Sequence, residues 1–299
     1  MKNNAKIAAT LCAAAMMCAC ANNQGSPQSG IAAALDRQGL VACWDFTGAA
    51  PLVSKVSDRE YKLEPVGSVA FDNCAGGEGK SLYLDGKSYL AIPYAQTGAL
   101  NVKSGSVTVL AWVKKQSGSK IGFVAGMWNE YENGGKRQYG LFISLPAYNG
   151  ADQVCGHISK NGGPTPPFRY SIDYSASAQK VPFDEWTFVA FTYDGKHIRS
   201  YVNGEFGARQ PELINHTKGF KGYPDGLIQC KNPYYYPDGI GDNGSDFTVG
   251  AVRLKKGMGN FFKGNIRCIA VYNRALSDAD LSALYKKTRE GGASVGGTF

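Results

Sequence analysis

Residues 182–206 read P-F-D-E-W-T-F-V-A-F-T-Y-D-G-K-H-I-R-S-Y-V-N-G-E-F. The arm Trp186–Tyr193 is a run of aromatic and β-branched residues, the types that suit a pleated, packed surface. Asp194-Gly195 follows, a dipeptide that readily supplies the positive φ of a tight hairpin turn. The second arm, Lys196 to Asn203, alternates. Ile198, Ser200 and Val202 share one face, while His197, Arg199, Tyr201 and Asn203 share the other. Asn203-Gly204 turns the chain again. The pattern predicts an antiparallel hairpin, and an arm apolar on both faces places it inside a larger β sandwich.

The motif W-x-F-V-A-F-T-Y-D-G-x-x-I-R-x-Y-V-N-G-E resembles the central hairpin of the laminin-G-like, concanavalin-A-like jelly rolls. Two further segments agree. G-K-S-L-Y-L-D-G at Gly79–Gly86 resembles an early strand and turn of that family. F-K-G-N-I at Phe262–Ile266, continuing to V-Y-N-R-A-L-S at Val271–Ser277, resembles its closing strand and helix. The resemblance spans residues 40 to 288 and implies an all-β fold, an antiparallel two-sheet jelly-roll sandwich with one short C-terminal helix. It implies no single function, since lectins, glycosidases, lyases and adhesive modules share the fold.

Composition fits one such domain. The chain has 299 residues, 38 of them Gly, and an apolar share of 43%, ample for a sizeable core and unlike a disordered chain. The N-terminus, M-K-N-N-A-K-I-A-A-T-L-C-A-A-A-M-M-C-A-C, has basic Lys2 and Lys6 before an apolar core too short to span a bilayer. Met17-Cys18-Ala19-Cys20 resembles a bacterial lipobox, which implies cleavage before Cys20 and lipidation of that cysteine; the alternative is an ordinary secretory signal cut near Ala21. Several acyl chains on one cysteine hold a protein at a membrane without spanning it. The expected layout is a signal peptide at 1–19, a flexible tether at 20–38, the jelly roll at 39–290 and a loose tail at 291–299. The expected location is exported and lipid-anchored, with Ala21 pointing to the outer membrane or cell surface.

Loss of residues 1–19 removes Lys2 and Lys6 and no acid, lowering the net charge from +8 to +6. That balance, with no dense basic run, argues against nucleic acid as a partner and leaves an anionic polysaccharide open. Beyond Cys20 stand Cys43, Cys74, Cys155, Cys230 and Cys268. The odd count leaves a thiol over. The expected disulfides are Cys43–Cys74 and Cys155–Cys230, with Cys268 a buried thiol in an apolar strand.

Strands are expected at Leu40–Phe46, Gly76–Gly86, Ser88–Pro93, Ser106–Lys114, Ile121–Met127, Gln138–Leu145, Asp152–Ser159, Phe247–Val252 and Gly264–Asn273. Ser277-Asp278-Ala279-Asp280 has the form of a capping box opening a short helix. Trp44, Trp112 and Trp186 lie within strand patterns and belong to the core. Three loops stand out for their polar and aromatic content: 128–139, 157–174 and 220–236. Long loops in a compact domain are usually functional or disordered, and their aromatic content argues against disorder.

A glycosidase needs two carboxyl groups facing each other across a sugar bond. The E-x-D-x-x-E spacing common in catalytic members of the resembled superfamily is absent, and Glu130, Glu132, Asp173, Asp184 and Glu185 lie in loops or at strand edges. A polysaccharide lyase needs a proton-abstracting base and groups that neutralise a uronate carboxylate; His157, Tyr170 and Arg169 are the candidates, with Tyr139 and Arg137 as substitutes. Sugar binding asks less: aromatic faces for pyranose C–H groups and polar partners for hydroxyls. Trp128, Tyr131, Phe168, Tyr170, Tyr223, Tyr234 and Tyr235 supply the first, and Asn129, Arg137, His157, Arg169 and Asp173 the second. Taken singly, each aromatic is better explained as packing that pins a long loop; as a set they point to a ligand.

No cofactor is required by this reading. Calcium is the alternative, with Asp238, Asp242, Asn243 and Asp246 as oxygen ligands at short spacing, although Arg267 replaces an acid that similar domains often carry in the closing strand. The sequence therefore favours non-catalytic carbohydrate binding, with a poly- or oligosaccharide as partner and the membrane reached only through the lipid anchor. A glycan-degrading enzyme and a protein-binding adhesive module are the alternatives.

Overall fold

The computed structural model describes residues 31–73, 80–130, 134–146, 150–166, 168, 171–210, 212–214 and 227–290. Its strands are numbered in chain order. One antiparallel sheet runs β15 (Glu205–Phe206), β14 (His197–Val202), β13 (Trp186–Tyr193), β8 (Val107–Lys115), β22 (Lys263–Tyr272), β6 (Lys80–Asp85), β5 (Ala70–Asn73). β1 (Leu40–Asp45) shares one edge of β22 with β6, and β18 (Tyr234–Tyr235) joins the free edge of β14. The second sheet runs β12 (Ser175–Lys180), β11 (Gly150–Ile158), β10 (Tyr139–Leu145), β9 (Gly122–Met127), β19 (Phe247–Val249), β7 (Tyr89–Ile92), β4 (Glu64–Val66). The remaining strands form three small hairpins: β2–β3 (Val53–Val56, Arg59–Lys62), β16–β17 (Glu212–Ile214, Leu227–Gln229) and β20–β21 (Val252–Leu254, Gly257–Gly259).

The hairpin that opens the sequence argument forms β13 and β14, with Tyr193 opposite Ile198 and Val189 opposite Val202. Asp194 closes its turn, its Oδ1 accepting the backbone N–H groups of Lys196 at 2.9 Å and His197 at 2.7 Å. Asn203 and Gly204 both take positive φ, 52° and 73°, as a twisted two-residue turn requires. β13 lies between β14 and β8, and both of its faces are covered: Val189 and Phe191 enter the largest apolar cluster, Phe188 and Ala190 the one that holds the C-terminal helix, which is why both are apolar.

Three apolar clusters follow from this layering. The largest lies between the sheets and includes Trp44, Val109, Tyr139, Phe191 and Phe247. A second lies on the outer face of the first sheet, where Trp112, Phe188 and Tyr272 meet Leu281 and Leu284 of the helix Asp278–Glu290. That helix starts with a reciprocal cap: Ser277 N donates to Asp280 Oδ2 and Asp280 N to Ser277 Oγ. Tyr201, on the polar face of its strand by alternation, is buried because its hydroxyl donates to Asp278 of the helix at 2.8 Å.

The third cluster covers the outer face of the second sheet and joins Phe123, Phe142, Cys155 and Tyr174. It depends on a departure from the expected Phe247–Val252 strand. The chain breaks at Gly250, whose φ is 90°, and β20–β21 then folds onto the outer face instead of continuing the sheet. Trp44 and Trp112 are core as expected, whereas Trp186 is only partly buried, with the Arg267 guanidinium 4.4 Å from its ring centre.

The cysteines are arranged differently from the expected pairing. Cys155 and Cys230 are buried thiols rather than a disulfide, and both lie against the Tyr174 hydroxyl, which accepts from Cys230 Sγ at 3.0 Å. Cys43 faces the same cluster as Cys268, two positions removed across the β1–β22 ladder. Cys74 and Cys20 lie outside the described residues.

Candidate functional site

Strand alternation sets which side chains reach the outer face of the second sheet. On β11, Val154 and Ile158 point inward while Cys155 and His157 point outward; on β10, Leu141 and Ile143 point inward and Phe142 outward. Over β10 and β11 opens a cavity of about 230 Å³. Ile121, Phe142, Leu145 and Leu254 give it apolar walls. Glu130, Arg137, His157, Ser171 and Asn260 supply its polar groups, and Trp128 borders it.

His157 is its most unusual member. It is 3% exposed, with ring centres of Tyr174 at 4.8 Å and of Trp128 and Phe142 at 5.0 Å. Neither ring nitrogen has a hydrogen-bond partner among the described residues. Burial, reinforced by the nearby Arg137 charge, pushes its pKa down to about 3. The imidazole is therefore neutral at physiological pH and offers one donor and one acceptor. A buried polar group without a partner costs stability, and in a native protein each calls for a cause, such as a functional role or a bound water or ion.

Two loops build the rest. Lys136 N donates to Asn129 O at 2.7 Å, and Arg137 N donates to Gly162 O at 3.0 Å. Gly135 and Gly162 approach so closely that a Cβ on either would strike the other's carbonyl oxygen, so this junction requires glycine on both sides. The Arg137 guanidinium also donates to Gly162 O at 3.2 Å and lies 5.9 Å from the Trp128 ring centre. Trp128 Nε1 donates to Glu130 Oε1 at 3.2 Å. Burial raises the Glu130 carboxyl above its ordinary range, opposed by Arg137 and the Trp128 hydrogen bond. Asp173 lies behind, buried, its pKa raised to about 7 by desolvation against the pull of Thr165 and Arg137.

The structure thus brings Trp128, Arg137 and His157 together and sets Asp173 beside them. Trp128 is only 2% exposed, so it walls the cavity instead of offering a flat stacking face. Asn129 faces a neighbouring cavity. Phe168 packs against the third cluster, and half-buried Tyr234 packs against the central core. Tyr235, 61% exposed, sits with His197 at the β14 edge and does not border the cavity. Tyr236 pins the second loop, its hydroxyl accepting from Lys160 N at 3.0 Å. Tyr131, Arg169, Tyr170 and Tyr223 lie outside the described residues. Sequence reading passed over Glu130 as a ligand group and missed Ser171, Leu254 and Asn260, which carry no local motif.

The calcium candidates do not fit a cation. Asp242 accepts from Tyr94 Oη and Asn101 Nδ2, both at 2.8 Å, and pairs with Lys103 Nζ at 3.0 Å. An ammonium there occupies the place a cation would take. Asp246 Oδ1 accepts Tyr94 N–H at 2.8 Å, and Asp238 belongs to no cluster: among the described residues, no group of three His, Cys, Asp or Glu could hold a metal.

Residues 84–221 match the family model of the concanavalin A-like lectin/glucanases superfamily. The fold is a concanavalin-A-like jelly roll. Domain 4 of AbnA, an extracellular GH43 arabinanase from Geobacillus stearothermophilus solved with arabinotriose, superposes with a TM-score of 0.50 at 17% identity, covering 84% of this chain and 100% of that one. The binding domain of botulinum neurotoxin DC, solved with SialylT, superposes with a TM-score of 0.51 at 11% identity. That alignment covers 84% of this jelly roll's chain and 52% of the toxin domain's. At these identities the likeness is one of fold. No curated protein matches the chain in sequence.

Proposed function

We propose that this jelly roll is a non-catalytic carbohydrate-binding protein, and that its glycan enters the cavity over β10 and β11. The observation that carries the reading is His157, buried, neutral and without a partner for either nitrogen among the described residues, facing a cavity that also holds Glu130 and Arg137. Paired hydroxyls of a sugar match that set: the carboxylate accepts, the guanidinium donates, the imidazole does either. The apolar walls suit C–H faces. Solved domains of the same fold carry arabinotriose and SialylT, which supports a saccharide as the ligand class.

A lyase needs a histidine near an arginine and a tyrosine, and Arg137 and Tyr174 do flank His157. Basicity weighs against that role. An imidazole held near pKa 3 is a weak proton acceptor, and efficient general bases lie close to the working pH. The signal-like N-terminus and Cys20 fit export and lipid anchoring, so the jelly roll is proposed to act at the cell surface as a single unit of residues 39–290.

A glycan-array screen of the purified protein, with product analysis on the retained glycans, tests this reading. Retention of one glycan class without new unsaturated or reducing ends, weakened by Glu130→Gln, is the expected result. Cleavage of a retained glycan would replace binding with catalysis as the function.

A further inference from the structure

A second cavity, of about 220 Å³, adjoins the first and shares Trp128 as a wall. It opens over β19 and β7, with Ala91, Thr248 and Asn129 on its border and Asp246 and Arg253 as its charged groups. Sheet register connects the two. His157 lies opposite Gly140, Gly140 opposite Gly126, Gly126 opposite Thr248, and Thr248 opposite Ala91. This is one row across five strands, with a cavity at each end. Its middle positions are glycines, and a Cβ on Gly140 would lie 3.4 Å from Trp128 Cε3. The Trp128 ring therefore rests on a stretch of sheet that carries no side chain.

The β20–β21 hairpin serves both ends. Glu130 N donates to Arg253 O at 2.9 Å, fixing the hairpin beside Trp128. From there the consecutive residues Arg253 and Leu254 border different cavities, as strand alternation dictates. Neither cavity reaches the roughly 300 Å³ of an ordinary small-molecule site, whereas the two together do. Among the described residues each holds one guanidinium and one carboxylate, Arg137 with Glu130 and Arg253 with Asp246, so their charges balance.

We infer that the two cavities are subsites of one groove, which binds several consecutive residues of an uncharged glycan chain running across the strands. The inference rests on the carbohydrate-binding reading above. From His157 to Thr248 the row covers three interstrand steps, about 14 Å at the usual strand spacing. A single sugar cannot fill both ends, so the protein reads length as well as identity. Charge balance favours neutral sugars over uronates, whose carboxylates would meet Glu130 and Asp246 without a surplus of cations.

The test is titration calorimetry of the purified protein with length ladders, from mono- to hexasaccharide, of cello-, xylo-, manno- and arabino-oligosaccharides and of oligogalacturonates. One neutral ladder should gain about tenfold or more in affinity between the shortest and middle members, then level off. Ala91→Trp fills the second cavity, and Arg253→Ala removes an exposed guanidinium without disturbing the core. Both should erase the gain with length and leave short-sugar binding intact, while Glu130→Gln weakens every length. Wild-type length dependence in both second-cavity variants would overturn the groove and leave the single-cavity reading standing. Preference for oligogalacturonates would overturn the neutral class. Binding of no ladder at all would remove the groove together with the carbohydrate-binding reading.

Discussion

The imidazole of His157 lies nearly parallel to the ring of Tyr174, at 4.8 Å between centres and 23° between planes. Tyr174 is buried, with its hydroxyl taken by Cys230, so it supports the imidazole from behind and leaves the nitrogens to the cavity.

The pH dependence of this arrangement has a definite sign. The unfolded chain takes up a proton on this histidine near its ordinary value of 6.5, while the folded chain resists until about 3. Stability contributed by the neutral side chain is complete above pH 6.5 and is lost progressively as pH falls toward 3. Denaturant midpoints at pH 4 and pH 7 should therefore differ less in His157→Gln than in the wild type. In the Asp173→Asn background, which removes the other group that titrates in this range, glycan affinity should stay flat between pH 5.5 and pH 8, because the imidazole remains neutral throughout. A sigmoidal change in affinity centred near 6.5 would mean that the imidazolium is the binding form.

Asp173 works in the opposite direction. Its carboxyl is raised from 3.8 to about 7 by burial, so the folded chain holds a proton that the unfolded chain releases. Its contribution is complete at low pH and disappears as pH rises from about 4 through 7. Asp173→Asn keeps the shape and removes the charge. The variant should gain roughly 1–3 kcal/mol over the wild type at pH 8, the range for relieving a buried unsatisfied polar group, and nothing at pH 4. Equal stability at pH 8 would mean that Arg137 and Thr165 already satisfy the ionised carboxylate.

How far the sequence disclosed all this depended on range. The β13–β14 hairpin and the Ser277–Asp280 cap were legible because their determinants sit within a few residues of one another: β-branched runs, Asp-Gly and Asn-Gly turns, a reciprocal cap. β12 was not legible, since S-A-S-A-Q-K has no β-branched residue and owes its strand form to pairing with β11. β3, R-E-Y-K, buries only Tyr61 and reads as a polar loop. In the site, Trp128, Arg137 and His157 stood out by residue type, but Ser171 arrives from the loop before β12, and Leu254 and Asn260 from the β20–β21 hairpin and the residue after it, through topology alone. Trp128 was expected to present its face outward. The side-chain-free patch at Gly140 and Gly126 lets the ring lie down on the sheet instead.

That patch yields the sharpest structural test. A methyl group on Gly140 would stand 3.1 Å from ring carbons of Phe123 and Phe142 and 3.4 Å from Trp128 Cε3, so the aromatic neighbours would have to shift. Overpacking of this kind typically costs about 1–3 kcal/mol. Trp128 is the wall common to both cavities, so its displacement should weaken glycan binding at every chain length, unlike Ala91→Trp, which acts only on longer chains. Gly140→Ala should therefore show a lowered denaturation midpoint together with a length-independent loss of affinity. Gly126→Ala supplies the contrast: its φ is 150° and its Cβ would meet the backbone of Tyr139, so it should cost more stability than Gly140→Ala. If Gly140→Ala loses stability yet binds every oligosaccharide as tightly as the wild type, Trp128 does not shape the groove, and the walls that matter are Glu130 and the β20–β21 hairpin.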